Sequence, residues 1–276
     1  MKQNLYIFAV SAAVIFLMTI VGCGHDKIEV SSIPVVSSIP SKNPCIKVFI
    51  ENSGSMDGYM CEGSQLKDAV YDYVSDLNRN TDNTKLYYVN SQIIPYNGDL
   101  TSYIKTLSPI SFRKAGGNTA NTDLGNIIAS VLKTVNDTTV AILVSDCILD
   151  LPTKNAQKYL TNCEIRIKDE IINTQKRVQD LGVEILKLSS DFNGKYFYPN
   201  GAIEYLKDVK RPYYIWIFGN KNYLAKLNST VPFSQLVKYD LSGIVAFVNQ
   251  STVPFDIFNN GLTSKIIVPK HGGYHV

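Results

Sequence analysis

Residues 48–59 read VFIENSGSMDGY, an apolar run that opens at once onto Glu51, Ser53, Ser55 and Asp57 at alternate positions. Serine and glycine form turns everywhere, so the stretch alone is consistent with plain turn chemistry. It is equally half of an oxygen-ligand metal site. Hydroxyls at i and i+2 on a turn can face one side. A hard cation such as Mg²⁺ takes about six oxygens at about 2.1 Å, keeps several waters and needs few carboxylates. Two other stretches offer matching oxygen donors. One is the small, hydroxyl-rich run Gly116-Gly117-Asn118-Thr119-Ala120-Asn121-Thr122-Asp123-Leu124-Gly125. The other is Leu143-Val144-Ser145-Asp146, an apolar strand ending on a carboxylate.

Short β-branched and aromatic runs at 46–50, 86–89, 140–144, 183–188 and 213–218 predict strands covered on both faces. Between them, Leu66, Val70, Tyr73, Val74 and Leu77 fall at helical spacing, as do Leu124, Ile127, Ile128, Val131, Leu132 and Val135. A third helix is expected through Ile167, Ile171, Val178 and Leu181, with Gly182 as its left-handed stop. Residues 91–95 follow the second strand closely enough to fold back as an antiparallel edge strand. The expectation is an α/β fold: a mostly parallel, doubly wound sheet with helices on both faces and one antiparallel edge. Such sheets bind ligands beyond the carboxyl ends of their strands, here the loops 51–60, 115–123 and 145–152.

In this order, the three loops resemble those of the von Willebrand factor A domain family, which is Rossmann-like in architecture and carries a metal-ion-dependent adhesion site. The family pattern is a first strand ending in Asp-x-Ser-x-Ser, a threonine before a helix, and an aspartate after a later apolar strand. Ser53 and Ser55 match the serines, Thr122 the threonine (Thr119 is the alternative) and Asp146 the last aspartate. The resemblance covers residues 44–228. It implies a site for Mg²⁺, or Mn²⁺ or Ca²⁺, held by Ser53, Ser55, Thr122 and Asp146, and a partner that offers a carboxylate to the metal. Glu51 stands where the family has aspartate. Its extra methylene carries the carboxylate about 1.5 Å further out, so it ligates directly, holds a ligand water, or marks a loop that has lost its metal. Cys147 replaces a glycine common after the last aspartate. Asp57 is expected at the rim of this face, Asp123 as a helix-start charge, and Trp216 in the core.

The ends of the chain bear on where such a domain would work. Lys2, an apolar stretch from Leu5 to Val21, and Val21-Gly22-Cys23 have the parts of a secretory signal. The cysteine placed after Val-Gly resembles a bacterial lipoprotein signal, which implies acylation (palmitate) at Cys23 and removal of residues 1–22. Acyl chains hold a protein to a membrane with about 0.8 kcal/mol per buried CH₂. Residues 23–43 are polar, with VSSIP occurring twice, and read as a flexible tether. Residues 229–276 are expected to form a small C-terminal appendage, with strand patterns at 243–248 and 265–268. The expected location is the cell envelope, at the outer membrane, facing the periplasm or the surface.

The formal charge of +3 falls to about +2 once Lys2 leaves with the leader, a balance that directs the chain to neither nucleic acid nor a strongly acidic partner. Cys45, Cys61, Cys147 and Cys163 remain, and their pairing is open. Hydrolysis by Ser53 or Ser55 would need a base, yet the only histidines are His25, His271 and His275, far from the loops in sequence. The expected role is therefore binding, not catalysis: capture of a protein partner or a surface polymer through the metal. The alternative is a metal-free scaffold subunit of an envelope complex.

Overall fold

The structure, a computed structural model, describes residues 42–247 apart from 62, 82, 121–122, 150–154 and 199–201. These all belong to one compact unit, Pro34–Phe258. The leader, Cys23, nearly all of the tether, Thr122 and the strand pattern at 265–268 lie outside the described residues.

Seven strands form one sheet: β1 (Cys45–Glu51), β2 (Thr84–Val89), β3 (Ile93–Tyr96), β4 (Thr139–Ser145), β5 (Leu181–Phe197), β6 (Ile203–Asn220) and β7 (Gly243–Phe247), in the order β3-β2-β1-β4-β6-β5-β7. The helices are α1 (Gln65–Thr81), α2 (Leu100–Thr106), α3 (Pro109–Ala115), α4 (Leu124–Leu132), α5 (Ala156–Arg177) and α6 (Lys221–Thr230). Two 3₁₀ segments, Gly54–Tyr59 and Phe233–Tyr239, complete the set.

Both faces of the sheet are covered, which is why its central strands are largely apolar where they pair. Ile46, Val48 and Ile50 of β1 join Val140, Ile142 and Val144 of β4 in a core with Leu66, Val70, Tyr73 and Leu77 of α1. The intervening residues Phe49, Leu143 and Trp216, aligned across β1, β4 and β6, are buried on the other face. There α4 packs against β4 and α5 against α4. Asp123 caps α4 by accepting from the Asn126 amide at 3.0 Å, and Arg166 of α5 pairs with the same carboxylate at 2.8 Å. The expected helix-start role of Asp123 is what its geometry shows.

The sheet itself departs from the expected mostly parallel winding. β1 is parallel to β2 and to β4, and β3 is the expected antiparallel edge. On the other side, however, β6 lies antiparallel between β4 and β5, and β7 is antiparallel to β5. The sheet is therefore mixed. The reason is connectivity: a parallel neighbour needs a crossover of a dozen or more residues, usually a helix. No described helix separates β5 from β6; they pair as one long hairpin, and the sequence between them includes Pro199-Asn200-Gly201. The third helix also ends earlier than expected. α5 stops at Arg177, Asp180 takes the left-handed conformation (φ 56°), and Gly182 already lies in β5. Aspartate tolerates that conformation because its short polar side chain hydrogen-bonds locally. Residues 233–247 join the same unit: Phe233 packs on Tyr73, and β7 extends the sheet edge.

The β5–β6 hairpin outruns the sheet. β4 ends at Ser145 opposite Tyr214, yet β5 and β6 go on pairing to Phe197 and Ile203. The surplus forms a two-stranded arm beyond the carboxyl ends of β1 and β4. It is seated on the loop after β1: Phe192 meets Tyr59 edge-on at 4.9 Å, and the Tyr59 hydroxyl donates to the Pro212 carbonyl at 2.7 Å. The arm also reaches the start of α1, where the Leu66 amide donates to Ser190 Oγ at 3.1 Å and the Asp191 amide to Gln65 Oε1 at 2.8 Å.

Candidate functional site

At the carboxyl end of β1 the chain leaves the sheet under tight backbone control. The Asn52 amide donates to the Val89 carbonyl at 3.1 Å, and Asn52 Nδ2 to the Phe112 carbonyl at 3.0 Å. Gly54 then donates its amide to the Thr119 carbonyl at 2.8 Å, joining the first loop to the second. Ser53 is extended and Ser55 lies in the 3₁₀ turn that follows. This places the two hydroxyls 3.0 Å apart, both buried. The i, i+2 spacing does face them to one side.

The second loop is fixed from beneath by the β2–β3 turn. Asn90 Nδ2 donates to the Gly116 carbonyl at 2.9 Å, and the Asn118 amide to Ser91 Oγ at 3.0 Å. Gly117 has φ 75° and a Cβ there would lie 2.1 Å from Asn90 Oδ1, so glycine is required on both counts. Thr119 takes part through its backbone carbonyl. Thr122, the expected ligand of this loop, is outside the described residues.

The third loop begins where β4 ends. Ser145, on the same face as Glu51, donates its hydroxyl to Glu51 Oε2 at 2.5 Å and accepts from the Cys147 amide at 2.8 Å. Glu51 is thus fully buried and held against β4. Cys147 takes a left-handed conformation (φ 55°), and its sulfur accepts from Trp216 Nε1 at 3.3 Å. Burial, with Glu51 and Asp146 nearby, pushes the Cys147 thiol up to about 12, which keeps it protonated at neutral pH. All four described cysteines are free thiols.

Asp146 is buried at the end of β4. Oδ1 accepts from the Ile148 amide at 3.1 Å, while Oδ2 is buried with no hydrogen-bond partner. Burial holds this carboxyl above its ordinary range, opposed by the Ile148 amide, by Arg211 and by the Ser55 hydroxyl. Ser55 is thus near enough to act on the carboxylate, yet Oδ2 makes no bond of good geometry. An orphaned buried oxygen costs about 1–3 kcal/mol, more when charged, a cost that a bound ligand would remove.

Ser53, Ser55 and Asp146 therefore come together, with Glu51 behind them through Ser145. Asp57 lies at the rim, paired with Arg113. Ser145, Asn52 and Asn90, which hold the loops, and the arm with its Arg211 were not among the expected site residues. Ser145 had a signal, since it shares a face with the end of β1 across the parallel pair. Among the described residues no group of three or more His, Cys, Asp or Glu converges, so a cation here would rely on hydroxyl oxygens and water. No described helix is long and apolar enough to cross a membrane. No protein-family model matches this chain, and no curated protein matches it.

Proposed function

We propose that this chain is a partner-binding module, related to von Willebrand factor A domains, that captures a carboxylate-bearing partner through a divalent cation at the loop end of its sheet. The observation that carries the reading is Asp146 Oδ2, a buried carboxylate oxygen without a partner beside two converging serine hydroxyls. The residues fit a hard cation of the Mg²⁺ class: Ser53, Ser55 and Asp146 would hold it, with Thr122 from the second loop and Glu51 acting from behind through a water. The cation would supply a Lewis-acidic position that accepts an oxygen of the partner. Glu51, fixed by Ser145 at the end of β1, stands behind the serine turn. The Asn52 and Gly54 bonds hold the hydroxyls in place without further reorganisation. In this reading the domain is anchored at the outer membrane by acylated Cys23, with residues 23–43 as tether, and has no catalytic role.

Calorimetric titration of the full chain with Mg²⁺ and Mn²⁺, beside Ser55→Ala and Asp146→Asn, tests it. Saturable heat in the wild type that both folded variants lose is the expected result. A folded wild type without heat overturns the metal reading. It would favour the second one, a metal-free scaffold subunit of an envelope complex, for which the engagement of Glu51 by Ser145 is the supporting observation.

A further inference from the structure

The chain has five arginines: Arg79, Arg113, Arg166, Arg177 and Arg211. The first four each pair with a carboxylate, on Asp76, Asp57, Asp123 and Glu170. Arg211 has no such partner among the described residues, and its Nη1 is buried without any hydrogen-bond acceptor. It is not loosely placed. Its guanidinium carbon lies 4.2 Å from the centre of the Tyr196 ring and 4.9 Å from that of Phe192. Both rings belong to the arm, and Phe192 is itself fixed against Tyr59. A guanidinium stacked on aromatic faces gains about 0.5–2 kcal/mol. The residue as a whole is half-buried, so the stacking answers its aromatic side and leaves one buried donor, Nη1, without an acceptor. The sequence thus places a stacked arginine with one unaccepted donor where the arm leaves the sheet, three positions beyond the last residue paired with β4.

We propose that Arg211 is an anion-recognition residue, presenting Nη1 to a carboxylate of a ligand that docks at the loop end beside Asp146. Two of the orphaned atoms at this end have opposite sign, Asp146 Oδ2 and Arg211 Nη1; Arg211 acts on the Asp146 carboxylate electrostatically, yet neither atom has a hydrogen-bond partner. A ligand carboxylate on Arg211, with a cation on Asp146, satisfies both. The cation half rests on the proposed metal site; the anion half stands without it. The charge balance favours a singly charged carboxylate over phosphate, because one guanidinium beside Asp146 and Glu51 leaves a dianion repelled. The planar fork of arginine also matches a carboxylate edge.

The test uses ¹⁵N-arginine-labelled full chain and acetate as the carboxylate probe, at constant ionic strength against chloride, first with EDTA and then with Mg²⁺. Of the five side-chain Nε–Hε signals, the one deleted by Arg211→Gln should shift saturably with acetate, at least fivefold more than any of the other four. Saturation transfer to the acetate methyl should vanish in Arg211→Gln. In Arg211→Lys, which keeps the charge and loses the fork, acetate affinity should fall roughly tenfold. A response seen only with Mg²⁺ supports the joint cation–anion arrangement. A response in EDTA supports the arginine site even where the calorimetric metal titration fails. An Arg211 signal that moves no more than its paired counterparts under both conditions overturns the proposal, and so does tighter saturation by phosphate than by acetate.

Discussion

Glu184 offers the sharpest quantitative test of the fold. It lies on β5, fully buried and on the α1 face of the sheet, and accepts from Asn228 Nδ2 of α6 at 2.6 Å through Oε1, while Oε2 has no partner. Burial pushes its carboxyl up to about 7 from an ordinary 4.5, against the opposing pull of the Asn228 bond. The folded state therefore holds a proton that the unfolded chain releases near its ordinary value. Below about pH 4.5 both states are protonated and stability is undiminished. Between there and about pH 7 the unfolded state binds fewer protons, and stability falls by about 1.4 kcal/mol per pH unit. Above about 7 the folded carboxyl ionises too, and the loss levels off at about 3 kcal/mol. Tyr73, the buried phenol nearest in charge effect, is held well above its ordinary range and stays neutral throughout. Glu184→Gln removes this titration at a cost of about 1 kcal/mol for an amide nitrogen left in the Oε2 position. Urea unfolding of both chains from pH 4.5 to 8.5 should show the variant less stable by about 1 kcal/mol at the acid end and more stable by about 2 kcal/mol at the basic end. A wild-type-minus-variant difference that stays flat across this range would refute the reasoning.

Two further outcomes follow from the loop end. A Cβ on Gly58 would stand 2.3 Å from the Phe192 ring, which Tyr59 and Arg211 hold in place, so Gly58→Ala should cost about 2 kcal/mol and lower Tm by roughly 4–8 °C; calorimetric melting checks it, and an unchanged Tm would mean that the arm does not sit on this loop. With its thiol at about 12 against an ordinary 9, Cys147 should react with iodoacetamide at pH 8 roughly a thousandfold more slowly in the folded chain than in urea. Peptide mass spectrometry resolves it from the other cysteines, and equal rates in both conditions would contradict its burial.

The parallel centre of the sheet was legible because β1, β2 and β4 are continuous apolar runs, and the α1 and α4 stripes because their spacing is unbroken. The Ser53–Ser55 turn was legible for the same local reason. What escaped was long-range or two-sided. Residues 189–212 alternate Ser, Asp, Asn and Lys with aromatics, and an arm with both faces partly open has no single apolar face to announce it. Which strand adjoins β4 is decided by pairing across the fold, and β6 has the same apolar signature whether it runs up or down. The Ser145–Glu51 bond spans residues 94 apart. Arg211 looks in sequence like any arginine in a charged stretch; only its surroundings show that its Nη1 has no acceptor.

The place of β6 in the sheet has a consequence for how the chain is made. β4 finds one neighbour, β1, already synthesised, but its second neighbour begins to pair only at Tyr214. Until those residues are available to pair, the amide and carbonyl row along Ala141–Ser145 is an open edge on a buried, largely apolar strand. The half-sheet β3-β2-β1-β4 must wait in that state while α5 and all of β5 are added. Closing it requires contacts distant in sequence, which form slowly. The long hairpin shortens that wait in one respect: β5 and β6 are joined locally, so β5, once made, can bring in β6 by zipping from the turn, and β4 is covered by a preformed ribbon.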